Sequence, residues 1–491
     1  MATLEIAPKT TVFYGPIISS DTISFYTASP RALVAVNSRG FIDWIEHDVQ
    51  ASQVQRVLKH KINELGLGMV QVILLELEEG EFLMPGFVDT HTHAPQVPNI
   101  GTGQEYELLD WLDKVTFPME SRFADEELAQ KLYPSIVNRF INAGTTTCCY
   151  YGSLHLESTK VLADVVNQSG QRAFIGKCCM DRNSPDNYRE PSAAYSIKAT
   201  IQLVAYIRAL KNTLVQPILT PRFAISCTDE LLTSLGNLAA ADPTLPIQTH
   251  ISENQSEIEF VKELFPDCTS YADVYHKHGL LGPRTILAHG VHLTEEELIL
   301  IKTTGAGISH CPTSNFNLRS GMARVADMLD HGIKVGLGTD VSGGYSTSML
   351  TAIQHASMCA KMVALLPPPS TIMPVPGAQF SGKQLNIANL LYLATRGGAR
   401  LCNLEHCIGS LEPGKSFDAL LVTMKPEGGH LDELHTYPTL PPNTQIDRER
   451  LEHNLERFLF CGDDRNISKV FVQGRCIGGT AFKARSFSAD S

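Results

Sequence analysis

Residues 85–93 read Pro85-Gly-Phe-Val-Asp-Thr-His91-Thr-His93, an apolar stretch that ends in two histidines. The apolar residues predict a strand, and the Gly-rich phosphate turn typical of a doubly wound open sheet does not follow it. Side chains alternate along a strand, so His91 and His93 point to the same side. At the carboxyl end of a barrel strand, both imidazoles would face the mouth, where the loops form active sites.

Strand and helix patterns alternate from this stretch onward. The strand candidates are Leu83–Asp89, Gly144–Tyr151, Arg172–Met180, Gln216–Cys227, Leu245–Ile251, Thr285–His289, Ala306–Cys311 and Ile333–Thr339. Helical patterns between them include Ala124–Ala143, Ser192–Thr213, Ser256–Phe265 and Thr294–Thr303. Eight strands with helical crossovers in about 260 residues match a (β/α)8 barrel. The sequence therefore predicts an α/β fold with a TIM barrel over residues 83–402, and a doubly wound open sheet is the alternative.

Short β-branched and aromatic runs, broken by turn residues, mark both ends of the chain. The runs before the barrel are Thr10–Ser19, Ala32–Val36, Phe41–Glu46 and Val70–Leu77, with a helix candidate at Gln53–Leu65. A helix candidate at Gln384–Cys402 precedes the later runs, Ala419–Val422 and Val470–Val472. We expect residues 1–82 and 403–491 to form one small β-sandwich domain together, because the N-terminal part alone cannot complete it. The Pro-rich segment Leu365–Phe380 predicts a loop or lid.

Composition and charge narrow the class of partner. The chain has 491 residues and a net charge of −12, from 40 basic and 52 acidic residues, without a long basic run. Phosphate-backbone binding needs a basic stripe, so we expect no nucleic-acid partner. No signal pattern opens the sequence and no apolar stretch nears the ~18 residues of a membrane span, so we expect no membrane association. Twelve cysteines then indicate thiols in a cytoplasmic protein.

Three further candidate metal ligands each lie at the end of a predicted strand. They are His250, His289 and Asp340, at the ends of the fifth, sixth and eighth predicted strands. In a barrel these ends meet at one mouth, together with His91 and His93. Imidazole and carboxylate together suit Zn²⁺ or Fe²⁺ better than Mg²⁺ or Ca²⁺. We predict that the strand ends with His91, His93, His250, His289 and Asp340 form a metal site; ordinary polar loop histidines are the alternative for the pair at residues 91 and 93.

The chain resembles the amidohydrolase superfamily and, within it, the guanine deaminase family over nearly its whole length. The motifs that carry the resemblance are Pro85-Gly-Phe-Val-Asp-Thr-His-Thr-His-Ala-Pro-Gln96, Thr220-Pro-Arg-Phe223, Thr249-His-Ile-Ser-Glu-Asn254, His310-Cys-Pro-Thr-Ser-Asn315, Gly336-Leu-Gly-Thr-Asp-Val341 and Ile408-Gly-Ser-Leu-Glu-Pro-Gly-Lys415. The histidine and aspartate pattern is superfamily-wide, whereas Ala-Pro-Gln96 and Pro-Arg-Phe223 are more particular to guanine deaminases. The resemblance implies one zinc ion per chain, a homodimer, and conversion of guanine and water to xanthine and ammonia in purine catabolism.

The number of metal ions can be tested within the sequence. Amidohydrolases with two metal ions bridge them with a carboxylated lysine, usually on the fourth strand. No lysine occurs between Lys211 and Lys262, the segment that holds the predicted fourth strand. We therefore expect a single metal ion.

Three residues are predicted to act in catalysis. Glu253 follows the ligand His250 by three residues, so its carboxylate can take a proton from water and deliver it to a ring nitrogen. A surface glutamate at a helix start is the alternative for Glu253. The resemblance implies that His91, His93, His250 and Asp340 are the metal ligands and that His289 is the superfamily's extra histidine, which contacts the metal-bound water. A core histidine is the alternative for His289. Asp340 is predicted to serve both as ligand and in catalysis.

The predicted substrate contacts surround the same ligands. An arginine fork at Arg222 can donate to a purine carbonyl, Phe223 can stack on the base, and Gln96 can both donate and accept. The full predicted set is His93, Ala94, Pro95, Gln96, Arg222, Phe223, His250, Glu253 and Asp340. His310 is either a partner that orients a ligand or a structural histidine, and Asp110, Trp111 and the Glu105–Glu120 loop are candidates to cap the pocket.

Two other functions remain open at this point. A different amidohydrolase with one metal ion, an adenosine-type or triazine-type deaminase, would keep the metal site and change the pocket. A catalytically silent scaffold with the same fold would typically have lost metal ligands.

Overall fold

The computed structural model describes residues 9–66, 72–367, 372–425, 429, 431 and 444–482. The strands are β1 (Thr10–Thr22), β2 (Phe25–Val36), β3 (Ile42–Glu46), β4 (Val72–Glu76), β5 (Glu81–Pro85), β6 (Phe87–His93), β7 (Thr145–Tyr151), β8 (Arg172–Gly176), β9 (Val215–Pro217), β10 (Ile247–Ile251), β11 (Thr285–His289), β12 (Gly307–His310), β13 (Lys334–Leu337), β14 (Ala419–Thr423), β15 (Ile467–Val472) and β16 (Arg475–Gly478). The helices are α1 (Val54–Glu64), α2 (Leu108–Trp111), α3 (Phe117–Ser121), α4 (Glu126–Asn142), α5 (Leu156–Ser169), α6 (Ala193–Ala209), α7 (Asp229–Ala241), α8 (Gln255–Leu264), α9 (Tyr271–Lys277), α10 (Glu295–Thr304), α11 (Pro312–Asn317), α12 (Val325–Asp330), α13 (Met349–Ala364), α14 (Ile387–Tyr392), α15 (Gly398–Leu401) and α16 (Thr444–Cys461). Within the described residues, no helix is long and apolar enough to cross a membrane.

Strands β6 to β13 form the barrel. β6 to β9 pair in parallel in one group of four, and β10 to β13 pair in parallel in a second. The groups meet where Leu219 N donates to Pro246 O at 2.9 Å, and the ring closes where Asp340 N donates to His91 O at 2.9 Å. Helices follow the strands along the chain, as a right-handed parallel crossover requires. The chain therefore has the α/β barrel fold that its strand and helix alternation predicts.

Gly86 separates the terminal sheet from the barrel. β5, which ends at Pro85, pairs with β14 and β1, whereas β6 begins at Phe87 and pairs with β7. The prediction of one strand over Leu83–Asp89 is therefore wrong. A Cβ at residue 86 would lie 2.2 Å from Cγ2 of the buried Thr146, so only glycine lets the backbone pass this point.

Gly86→Ala should therefore destabilise the protein. Overpacking of a buried position typically costs about 1–3 kcal/mol, and the β-branched Thr146 has little freedom to yield. Gly282→Ala is the matched control, since a Cβ there would meet no atom within 4 Å. Urea unfolding followed by circular dichroism measures both; a free energy of unfolding equally unaffected in the two variants would contradict this explanation of Gly86.

Strands from both chain ends form a single sheet of eight strands. Its order is β16-β15-β14-β5-β1-β2-β3, with β4 also paired to β1. One face packs around three aromatic rings: Phe13 stacks on Phe417 with 5.1 Å between ring centroids and meets Phe471 edge-to-face at 5.7 Å. The joint use of both chain ends is confirmed, but a β-sandwich is not, since the described strands share one hydrogen-bonded sheet. The domain division at residues 82 and 402 stays a prediction.

Other predicted elements differ in their bounds. The fourth barrel strand, predicted over Gln216–Cys227, is only the three-residue β9, because Pro217 and Pro221 carry no N–H to donate. The predicted helix Gln384–Cys402 is α14, a π turn and α15 in succession. Most of the predicted run Val70–Leu77 is β4, and residues 70 and 71 lie outside the described residues.

The Pro-rich segment is irregular where it is described. Residues 372–380 form turns and bends, and residues 368–371 lie outside the described part. The Asp330 carboxylate accepts backbone N–H groups of Gln379, Phe380 and Ser381 and thereby ties the segment to α12. The loop prediction is confirmed for this part.

Candidate active site

Four imidazoles and one carboxylate meet at the carboxyl ends of the barrel strands. His91 and His93 end β6, His250 lies in β10, His289 ends β11, and Asp340 follows β13. The predicted placement on strands one, five, six and eight is therefore confirmed. His289 and Asp340 have left-handed backbone angles, with φ of 76° and 44°. Such angles cost about 1–3 kcal/mol in non-glycine residues and are concentrated at functional sites.

The side-chain atoms of this cluster are close enough to share one ion. Ligand atoms of His91, His250, His289 and Asp340 all lie within 4.8 Å of one another. His93 Nε2 lies 3.2 Å from His250 Nε2 and 3.4 Å from Asp340 Oδ1, and His91 Nε2 lies 3.1 Å from Asp340 Oδ1. This group of four contains His289 and not the predicted ligand His93, although His93 also contacts His250 and Asp340, and the choice between His93 and His289 as fourth ligand stays a prediction.

The chemistry of these donors fits a metal ion. His250 Nδ1 donates to Arg222 O at 2.5 Å and His289 Nδ1 to Asn315 Oδ1 at 2.9 Å, so both Nε2 atoms present lone pairs to the centre. Both ring nitrogens of His91 are buried; Nε2 faces Asp340 Oδ1 at 3.1 Å, and Nδ1 has no hydrogen-bond partner among the described residues. Burial lowers the pKa of His91, of His250 and of His93, the last to about 4, which keeps these rings neutral. Neutral imidazole is the form that binds metals.

Two carboxylates in the cluster have opposite pKa shifts. Burial by itself raises the pKa of Asp340, but the neighbouring His91 and His93 hold it well below its usual range. Burial, the charge of Asp340 and the charge of Glu257 together raise the pKa of Glu253 well above its ordinary value. Two carboxylates with pKa values shifted in opposite directions are typical of a site that holds one ionised group and one group able to carry a proton. Glu253 Oε2 lies 3.3 Å from His289 Nε2, and Ser320 Oγ donates to Oε1 at 3.3 Å.

A cavity opens beside the cluster, with about 370 Å³ of empty space that includes its open mouth. Its walls are His93, Gln96, Leu108, Trp111, Leu112, Arg222, Phe223, His250, Glu253, His289, Leu318 and Asp340. Of the predicted substrate contacts, Ala94 and Pro95 are buried in the turn after β6 and do not line it. Trp111 of the predicted capping loop does line it, whereas Asp110 is an exposed residue whose carboxylate lies 3.6 Å from Lys114 Nζ.

The polar wall of the cavity is held by Glu120, a residue that the sequence did not single out. Arg222 Nη1 and Nη2 donate to its two carboxylate oxygens at 2.6 and 3.2 Å, and Gln96 Nε2 donates to Oε1 at 2.6 Å. The Arg222 guanidinium also lies 5.3 Å from the Phe117 ring centroid. Burial alone raises the pKa of Glu120, but Arg222 outweighs burial and holds it below its ordinary value. The carboxylate therefore stays charged beside the guanidinium.

Sequence reasoning also passed over the partners of the catalytic candidates. Asn315 holds His289 and Ser320 holds Glu253, both from the segment after β12. Asn315 lies within the quoted motif His310-Cys-Pro-Thr-Ser-Asn315, which was the signal available for it. Ser320 had none. The ring nitrogens of His310 are buried and have no hydrogen-bond partner among the described residues, so its two predicted roles stay undecided.

Fold and site together define a barrel hydrolase whose active site is a cluster of histidines and an aspartate at the strand ends. Comparison with known proteins agrees. The amidohydrolase family model matches residues 82–477, and the chain belongs to this family. A probable guanine deaminase of Schizosaccharomyces pombe is 42% identical over 96% of this chain and 84% of its own length, and a guanine deaminase of Dictyostelium discoideum is 42% identical over 95% and 98%. A crystal structure of guanine deaminase from C. acetobutylicum with bound guanine in the active site has a TM-score of 0.81 at 32% identity, covering 95% of this chain and all of that one.

Proposed function

We propose that this chain is a guanine deaminase, which hydrolyses guanine to xanthine and ammonia. The observation that carries the proposal is one cavity in which Arg222 and Gln96 face the histidine and aspartate cluster and Glu253. Relatives of similar length that bear this activity in their names support it. The enzyme is a hydrolase of carbon–nitrogen bonds in cyclic amidines, as its family implies.

The proposed cofactor is one zinc ion per chain. His91, His93, His250 and Asp340 would hold it, with His289 beside them, since their donor atoms converge and the imidazoles are neutral. A bound ion of this kind lowers the pKa of a coordinated water to about 7. The absence of a lysine from residues 212–261 supports one ion rather than two.

Glu253 is proposed to move the protons of the reaction. Its raised pKa suits a group that takes a proton from water and then gives it to the ring nitrogen next to the attacked carbon. The hydroxyl of Ser320 donates to Oε1 and leaves Oε2 facing His289. The second proton of the same water must pass from the added hydroxyl to the amine, which leaves as ammonia while the hydroxyl oxygen becomes the new carbonyl. Of the two carboxylates among the described residues of the cavity wall, Glu253 is the one with a raised pKa.

Arg222 and Gln96 are proposed to read the base, with Phe223 as an apolar wall. The amide of Gln96 is oriented by its neighbours, since Nε2 donates to Glu120 and Oε1 accepts from Ser342 N at 3.0 Å. Arg222 keeps N–H groups beyond those bound to Glu120, because a guanidinium carries five. A purine carbonyl is a matching acceptor.

A product assay tests the proposal. The metal-loaded enzyme should release xanthine and ammonia from guanine, and should turn over adenine, adenosine and chlorotriazines much more slowly. Preferred turnover of one of those compounds would instead favour an adenosine-type or triazine-type deaminase. Near-zero zinc or iron in the purified protein, together with no turnover, would favour the silent scaffold.

Arg222→Ala should lower kcat/KM for guanine about 10- to 150-fold, because a hydrogen bond from a charged group contributes roughly 1.5–3 kcal/mol. Adenine carries an amine in place of the C6 carbonyl, so the loss should be specific to guanine. Lysine at this position should rescue only part of the activity, since an ammonium lacks the planar fork. Zinc content should hold. Unchanged guanine kinetics would transfer base recognition elsewhere, with Gln96 as the first candidate.

We also propose an oligomeric state and a location for this protein. The resemblance to guanine deaminases supports a homodimer, which sedimentation equilibrium tests directly. All twelve cysteines are thiols, which agrees with a cytoplasmic location.

A further inference from the structure

Glu120 anchors both polar side chains that face the base in the cavity. Its carboxylate accepts hydrogen bonds from Gln96, from both terminal nitrogens of Arg222, and from the Tyr188 hydroxyl at 2.6 Å. Glu120 and Tyr188 are fully buried. Glu120 itself does not line the cavity, so its effect on the ligand passes through its neighbours in the wall: Arg222, Gln96 and His93, whose Nδ1 lies 4.0 Å from Glu120 Oε1.

The charge of this arrangement matters as much as its geometry. Arg222 is the only lysine or arginine among the described residues that line the cavity. A buried guanidinium without a partner would attract an anion, since charged hydrogen bonds to carboxylates are the strong ones. The two-point contact with Glu120 neutralises Arg222 and leaves it as a donor of hydrogen bonds.

The same carboxylate fixes the amide of Gln96. An ionised carboxylate can only accept hydrogen bonds and the Ser342 backbone N–H can only donate. The amide nitrogen of Gln96 must therefore face Glu120, and its oxygen must face Ser342. Without the Glu120 charge, the neighbour of the Gln96 amide nitrogen would no longer have to be an acceptor. The donor and acceptor pattern that Gln96 shows to a ligand would then no longer be unique.

We propose that Glu120 is a positioning and specificity residue that makes the cavity select an uncharged purine base with a carbonyl oxygen over an anionic one. This inference rests on the proposed function in one respect, that the ligands are purines. Its test therefore measures binding without turnover.

Glu120→Gln keeps the size of the side chain and removes its charge. Calorimetry on the metal-loaded variant should use hypoxanthine, which is uncharged and keeps the C6 carbonyl, and urate, which is an anion at neutral pH. Hypoxanthine should bind about 10- to 150-fold more weakly, and the ratio of the two dissociation constants should move at least about 10-fold toward urate. Glu190→Gln is the matched control, because Glu190 is equally buried, lies 2.7 Å from Lys177 Nζ and does not line the cavity. An unchanged ratio in Glu120→Gln, or an equal shift in Glu190→Gln, overturns the proposal.

Two further variants separate charge from geometry. Glu120→Asp retains the charge on a shorter side chain, so it should keep the preference for hypoxanthine while KM for guanine rises. If Glu120→Gln does not fold, Arg222→Gln provides the converse test: it leaves the carboxylate uncompensated and should move the ratio away from urate. An unchanged ratio there also overturns the proposal. The two proposals can fail separately. If the variants shift the ratio of dissociation constants as expected but the wild-type protein does not deaminate guanine, the proposed function is refuted and the role of Glu120 stands.

Discussion

Glu253→Gln should lower kcat for guanine by at least about 10²–10⁴-fold, the usual contribution of a general acid–base group. The amide has the size of the carboxylate but cannot take a proton from water. The hydrogen bond from Ser320 to Oε1 can persist, so the cavity should keep its shape. Binding of hypoxanthine and the content of metal should stay near wild type, which separates loss of chemistry from loss of binding.

Glu297→Gln is the matched control for this variant. Glu297 is also a buried glutamate, but it caps α10 by accepting Thr294 N at 3.0 Å and does not line the cavity. The Glu297→Gln substitution should lower the free energy of unfolding and leave kcat unchanged. Near-wild-type turnover in Glu253→Gln would show that another group carries the protons.

Removal of the metal ion should abolish activity, by at least about 10³-fold, since a metal ion contributes several kcal/mol to reactions of this type. Chelation followed by dialysis should give an inactive protein with a lower Tm, because a ligand that binds only the folded state stabilises it. Added zinc should restore both properties. Wild-type turnover by protein that contains no metal would contradict the assignment.

His91→Ala tests which residues hold the ion. Nδ1 of His91 is buried without a hydrogen-bond partner among the described residues and Nε2 lies 3.1 Å from Asp340 Oδ1, so the loss of this ring should cost metal affinity as well as the contact with Asp340. His278→Ala is the control, a mostly buried histidine outside the cavity whose Nδ1 lies 2.7 Å from Val274 O. Metal content measured by mass spectrometry should fall in the first variant and stay at one ion per chain in the second. One full equivalent of metal in His91→Ala would remove it from the ligand set.

Much of the site could be predicted because its parts are local in sequence. Two-residue periodicity puts His91 and His93 on the same side of β6, and a barrel brings strand ends together whatever lies between them. His250, His289 and Asp340 could therefore be assigned to one mouth from their positions at strand ends alone. Helix starts were equally local, since the Asp125, Ser192 and Thr294 side chains accept backbone N–H groups of the turns that they begin.

Other features depend on contacts between distant parts of the chain, and no local pattern indicates them. Glu120 lies 102 residues from Arg222 in sequence, and only the folded barrel makes it the partner that neutralises the guanidinium. The break between β5 and β6 at Gly86 follows from Thr146 on the neighbouring strand. How close His93 and His289 come to the other proposed ligands depends on how barrel closure places β6 and β11. The alternation of strands and helices, and the carboxyl ends of the strands that carry the histidines, follow from short-range patterns of apolar residues. Charge pairing, close packing and some strand bounds depend instead on which distant side chains the tertiary structure brings within a few ångströms.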